Sequence, residues 1–125
     1  MEFKERTIIS FSAFLLSRSQ MPQVKWNTLK LLLDKASIEH EKYLSKATSF
    51  KPTQYEFDQT KVDSIKANWQ SNNKKAYIIV SSDGYILDGH HRYFAALQLR
   101  TAINIIQIDL TINKLLKFVQ DSNND

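Results

Sequence analysis

Apolar residues fall along this chain in short clusters whose spacing changes from helical to strand-like and back. Ser10 is placed to cap a short helix through Ser17 that buries Phe11, Phe14 and Leu15, and Met21-Pro22 interrupts it, because the residue before proline avoids helical backbone. Asn27 or Thr28 caps a second helix to about Ala36, with Leu29, Leu32 and Leu33 on one face. From Ile38 to Phe50 the pattern is strand-like. Asp58 or Thr60 then caps a helix carrying Val62, Ile65 and Trp69, which Ser71-Asn72-Asn73 ends. Ala76 to Val80 is a continuous apolar run, read as a buried strand; Ser82-Asp83-Gly84 is a turn, and Tyr85 to Leu87 a second strand. Asp88-Gly89-His90-His91-Arg92 follows directly, and Tyr93 to Leu99 reads as a helix. Ile103 to Ile108 is a further strand, Thr111 caps a last helix presenting Leu115, Leu116 and Val119, and Ser122 to Asp125 is a frayed tail.

Helices alternating with strands predict an α/β (α+β) architecture around a small mixed sheet. The expected organisation is a helical extension over 1–46, a domain over 47–121 and a tail over 122–125. The core is expected to include Val62, Ile65, Trp69, Ile79, Val80, Ile86, Leu97 and Ile105.

Composition narrows the chemistry. With 125 residues one domain is expected, and 42% apolar and 24% charged residues are ordinary for a globular chain. There is no cysteine, so no disulfide, thiolate metal site or cysteine nucleophile is available. No apolar run approaches the roughly 20 residues of a membrane span, and nothing after the charged Met1–Arg6 reads as a signal peptide. The expectation is a cytoplasmic protein with no membrane partner. The formal charge is +4, with +3 of it in residues 1–46, and no polybasic run occurs. An acidic partner is permitted but not demanded.

The informative constellation is strand, Asp88-Gly89-His90-His91-Arg92, helix. Glycine at such a corner lets backbone approach a ligand, and the first N–H groups of the new helix favour an anion such as phosphate. Arg92 adds a guanidinium fork, His90 and His91 can donate hydrogen bonds or move protons, and Asp88 can hold a histidine or bind Mg²⁺ through water. The plainer reading is an N-cap aspartate and two solvated histidines. His40, within Glu39-His40-Glu41, reads as part of a solvated face.

The stretch Phe50–Phe118 resembles the ParB/sulfiredoxin fold on FKPTQ, FDQTKVDSIKANW, YIIVSSDGYILDGHHRYFAALQL and TAINIIQIDLTINKLLKF. The segment SRSQMPQV ahead of a helix resembles small proteins of this kind encoded by tailed phages. In sulfiredoxins a Gly-Cys-His-Arg segment binds ATP phosphates at a helix start, and its cysteine carries the reaction. Gly89, His91 and Arg92 match that motif, while His90 stands in place of the cysteine; Lys61 and Ser64 match nucleotide-contacting helix positions, and Asn68 stands where that family has threonine. The segment also resembles the Asp-Gly-His-x-Arg motif of free serine kinases, matched by Asp88, Gly89, His90 and Arg92. Those kinases place a catalytic glutamate near Gln54, so Glu56 or Asp88 would have to substitute. The Gly-x-x-Arg-x-x-Ala spacing of ParB proteins fits Gly89, Arg92 and Ala95.

The resemblance therefore implies binding of ATP or another nucleoside triphosphate, with Mg²⁺ held at Asp88. It also implies hydrolysis or transfer of the γ-phosphoryl group, with His90, Asp88 and Glu56 as the catalytic residues. Gly89, His91, Arg92, Lys61, Ser64 and Asn68 would bind the nucleotide. The alternatives are a non-enzymatic module for DNA or a host protein, and a ParB-like nuclease.

Overall fold

The computed structural model describes residues 25–54, 57–69 and 77–123. The expected helix from Ser10, the Met21-Pro22 break, Glu56 and the Ser71-Asn72-Asn73 stop lie outside these residues.

In chain order the elements are α1 (Trp26–Lys35), β1 (His40–Lys46), a 3₁₀ turn (Ala47–Ser49), β2 (Lys51–Pro52), α2 (Gln59–Ala67), β3 (Tyr77–Ser81), β4 (Tyr85–Asp88), α3 (His90–Leu99), β5 (Ala102–Ile108) and α4 (Ile112–Asn123). The five strands form one mixed sheet in the order β1-β5-β3-β4-β2. β3 runs parallel to β5 and antiparallel to β4, whereas β1 lies antiparallel along the outer side of β5. The expected α/β class with a mixed sheet is what the chain adopts.

Both faces of this sheet are covered, which explains the unbroken apolar run of β3. Ile78, Val80, Ile86, Ile103 and Ile105 pack on one side with Val62, Trp69, Tyr93, Ala95 and Ala96. Ile79, Leu87, Ile106 and Ile108 pack on the other with Leu29 and Leu33 of α1 and Ile112, Leu115 and Val119 of α4. Side chains alternate across a strand, so a strand with two buried faces reads as a continuous apolar run, here Ile78-Ile79-Val80. Of the expected core, Val62, Trp69, Ile79, Val80, Ile86 and Ile105 are buried, and Ile65 and Leu97 are half-buried against the first cluster.

The expected helical extension over 1–46 contributes more than helix. Its residues 40–46 are an edge strand of the sheet, and Leu29 and Leu33 sit in the core at 3% and 0% exposure. A cut after residue 46 would remove α1 from one face of the sheet and the edge strand β1 with it. α1 starts at Trp26 with Lys25 at its N-cap, ahead of the expected Asn27 or Thr28. His40 is no solvated residue: its Nε2 lies 3.6 Å from Asp34 Oδ1, and its ring meets the Trp26 ring edge-on at 5.1 Å. At the other end α4 continues through the expected tail as far as Asn123, with Ser122 Oγ donating to the Phe118 carbonyl at 2.9 Å.

Two local devices deliver the chain to the site. Gly84 takes φ +86° in the β3–β4 turn, as expected, and its carbonyl accepts the Lys51 N–H at 2.9 Å, tying β2 to the hairpin. Within the hairpin the register shifts: Val80 pairs with Ile86, but Ile79 pairs with Asp88. β4 thus carries one extra residue immediately before the Asp88-Gly89 corner, a bulge that turns the strand end towards α3.

Candidate functional site

α3 opens on Gly89, in the left-handed region at φ +94° and ψ +28°, where an L side chain is strained. A Cβ at this position would sit 2.9 Å from Ile78 Cγ2 and 3.1 Å from the Tyr77 carbonyl. The glycine is required so that the corner can close against β3. From the sequence, glycine is expected there for ligand approach; the structure shows instead that any side chain, as in Gly89→Val, would collide with the strand.

His90 is 5% exposed. Its Nε2 accepts the Thr53 N–H at 3.2 Å, which puts the ring proton on Nδ1, and lies 3.2 Å from Thr53 Oγ1. That hydroxyl donates to the Ile86 carbonyl at 2.6 Å, so Thr53, itself 0% exposed, links β4 to α3. Burial, with a smaller contribution from neighbouring His91, pushes the His90 imidazole down to about 4. At neutral pH it is an uncharged acceptor already engaged with backbone, an arrangement suited to holding and unsuited to donating protons.

His91 acts similarly one residue on: its Nε2 accepts the Asp58 N–H at 3.1 Å. Asp58 in turn caps α2, its Oδ1 accepting from Thr60 N at 2.9 Å, as one of the two expected caps. The two imidazoles therefore grip both ends of the β2–α2 connection, at Thr53 and Asp58. Phe57 reinforces the grip by stacking on Phe94 of α3 at 4.2 Å and 23°.

Arg92 points back to β3. One Nη1–H donates to the Tyr77 carbonyl, and the guanidinium carbon lies 5.3 Å from the centre of the Tyr77 ring. A guanidinium has five donors, so this bond leaves others for an anion. Asp88 is half-buried; desolvation lifts its carboxyl above the usual carboxylate range, while the Arg92 charge and the Gly89 N–H pull it part of the way back. As the one carboxylate of the motif, Asp88 suits a Mg²⁺ carried in on phosphate oxygens and does not by itself make a cation cage.

Of the remaining expected ligands, Lys61 and Ser64 lie on α2 and Asn68 is its C-cap; the helix packs beside α3 through Gln59–Gln98 and Lys66–Gln98 hydrogen bonds of 3.0–3.2 Å. Lys61, Ser64 and Asn68 are exposed, at spacings that share one helix face. Asn68 Nδ2 donates to the Ser64 carbonyl at 2.9 Å, closing the end of α2. Glu56 lies outside the described residues. The structure thus gathers Asp88 to Arg92 at one corner, whereas Lys61, Ser64 and Asn68 are exposed on α2 and its C-cap, and the side-chain bonds of that helix to α3 reach Gln98.

The sequence does not mark the partners of His90, Arg92 and His91: Thr53, the Tyr77 carbonyl and the N–H of the capping Asp58 stand 37, 15 and 33 residues away. Nothing in local spacing marks such pairs.

No protein-family model matches the chain, and no curated protein is significantly similar to it.

Proposed function

We propose that this protein binds ATP or another nucleoside triphosphate with its phosphates at the start of α3, in the manner that the ParB/sulfiredoxin resemblance implies. One observation carries the reading: α3 begins at Gly89 with no side-chain cap, and its first turn holds Arg92. Uncapped N–H groups, the positive end of the helix dipole and a guanidinium with donors to spare favour an anion together. Lys61, Ser64 and Asn68 on the adjacent helix would contact the rest of the nucleotide. Asp88 would meet the Mg²⁺, which supplies charge neutralisation on the phosphate oxygens.

Hydrolysis or transfer of the γ-phosphoryl group at this corner would rest on positioning, with Asp88 as the group nearest to a base. The engagement of His90 Nε2 with Thr53 favours a second reading, in which the same pocket binds without turnover and serves a module for DNA or a host protein.

A thermal-shift screen against ATP, ADP, CTP, GTP and a short DNA duplex, with and without Mg²⁺, tests the proposal. A ligand at about 100 times its Kd should add about 2.7 kcal/mol of stability. A rise with triphosphates supports nucleotide binding; a rise with DNA alone supports the binding module; no rise with any nucleotide refutes the site. Phosphate release by the shifted complex then separates turnover from binding.

A further inference from the structure

A second cluster of donors lies at the opposite end of α3. Lys46 at the end of β1, Thr48 of the 3₁₀ turn, and Arg100 and Thr101 after α3 line a cleft of about 260 Å³ floored by Ala96 and Leu97. Among the described residues no acidic side chain lines it. Among the described residues, none of these four polar side chains has a hydrogen-bond or ion-pair partner. The helix end does not need them: the Arg100 N–H reaches the Leu97 carbonyl at 3.2 Å, and the Thr101 N–H reaches Ala96 at 3.1 Å.

Arg100 itself is held at φ +55° and ψ +46°. This is the left-handed position after a helix, where glycine is the usual occupant because it carries no Cβ penalty. An arginine here is conformationally costly, and among the described residues it makes no polar side-chain contact. Two cations and two hydroxyls line one cleft over an apolar floor, a donor set with no acceptor among the described residues.

We infer that this cleft is an oxyanion site, distinct from the start of α3, which takes a phosphate group between Arg100 and Lys46 with the Thr48 and Thr101 hydroxyls completing its hydrogen bonds. Phosphate matches the set: it offers several acceptor oxygens, and arginine pairs with two of them at once. The α3 helix has ten residues, so at ~1.5 Å per residue the cleft and the Asp88–Arg92 corner are on the order of 15 Å apart. One small anion cannot occupy both.

The test is an amide chemical-shift titration of the full chain with inorganic phosphate, ionic strength being held constant with chloride. The expected result is saturable shifts at Lys46–Thr48 and Leu97–Thr101. Arg100→Gly should raise Tm, because strain is relieved, yet weaken phosphate at these amides by about tenfold or more, as the loss of a charge-assisted bond implies. Arg92→Ala should leave the same shifts in place, which keeps this site separable from the nucleotide proposal. Absence of saturable shifts at these amides overturns the inference. So does an Arg100→Gly variant that binds phosphate like the wild type, or a response confined to His90–Arg92.

Discussion

Acidification from neutrality towards pH 4 should destabilise the fold through His90. In the unfolded chain the imidazole titrates near 6.5, and in the folded protein burial pushes it down to about 4. Between those values the unfolded chain binds more protons than the folded one, so stability rises with pH across that window. The contribution is fully present above 6.5 and is lost as pH falls towards 4. At ~1.4 kcal/mol per unit the loss is about 3 kcal/mol. Its structural cause is specific: a protonated Nε2 cannot accept the Thr53 N–H, leaving a buried donor unpaired beside a buried charge. Asp88 works in the opposite direction. Its folded carboxyl is raised, so its contribution is present below 3.8 and is lost as pH rises through the folded value.

Urea unfolding of the wild type and of His90→Gln over this range separates the two groups. Glutamine keeps an oxygen acceptor for Thr53 and cannot titrate, while Asp88 is common to both proteins. The wild type should lose about 3 kcal/mol more than the variant between neutrality and pH 4. Parallel curves would refute the buried, neutral His90 and free it for proton transfer.

Gly89→Ala should cost roughly 2–6 kcal/mol from left-handed strain plus overlap with Ile78, read by chemical denaturation; a loss below about 1 kcal/mol would mean that the corner has room. Trp69→Ala should cost roughly 3–5 kcal/mol, since the ring is 6% exposed, and a smaller loss in the same assay would take the ring out of the core. Asp83→Ala should cost about 1 kcal/mol and speed amide exchange at Ile112, whose N–H Asp83 Oδ1 accepts at 3.0 Å; unchanged exchange would remove Asp83 as the cap of α4.

The legible and illegible parts of this fold divide by where the determining partner lies. β3 shows in the sequence because burial on both faces makes Ile78-Ile79-Val80 an unbroken apolar run, and the β3–β4 turn shows because Gly84 supplies the positive φ. β1, His40-Glu41-Lys42-Tyr43-Leu44-Ser45-Lys46, was legible only as loosely strand-like, because an edge strand needs few apolar positions, and its Leu44 is 66% exposed. Thr111 does stand at the start of α4, as expected, its carbonyl accepting the Leu115 N–H at 2.8 Å, but the Ile112 N–H is taken by Asp83 from the distant turn, a tertiary bond with no local signature. The site divides in the same way. Spacing correctly put Asp88 to Arg92 at a strand-to-helix corner. It could not tell that Gly89 faces Ile78, that His90 and His91 hold the β2–α2 connection, or that Arg92 reaches the Tyr77 carbonyl.

Mapping backbone amide shifts while ATP and Mg²⁺ are added to the full chain reports whether the start of α3 takes nucleotide phosphate. Saturable shifts are expected to be largest at His90, His91 and Arg92 and smaller at Lys61 and Ser64, with a loss of affinity of roughly 1.5–3 kcal/mol in Arg92→Ala. Shifts that leave His90–Arg92 unmoved, or an Arg92→Ala protein that binds ATP like the wild type, would contradict phosphate binding there.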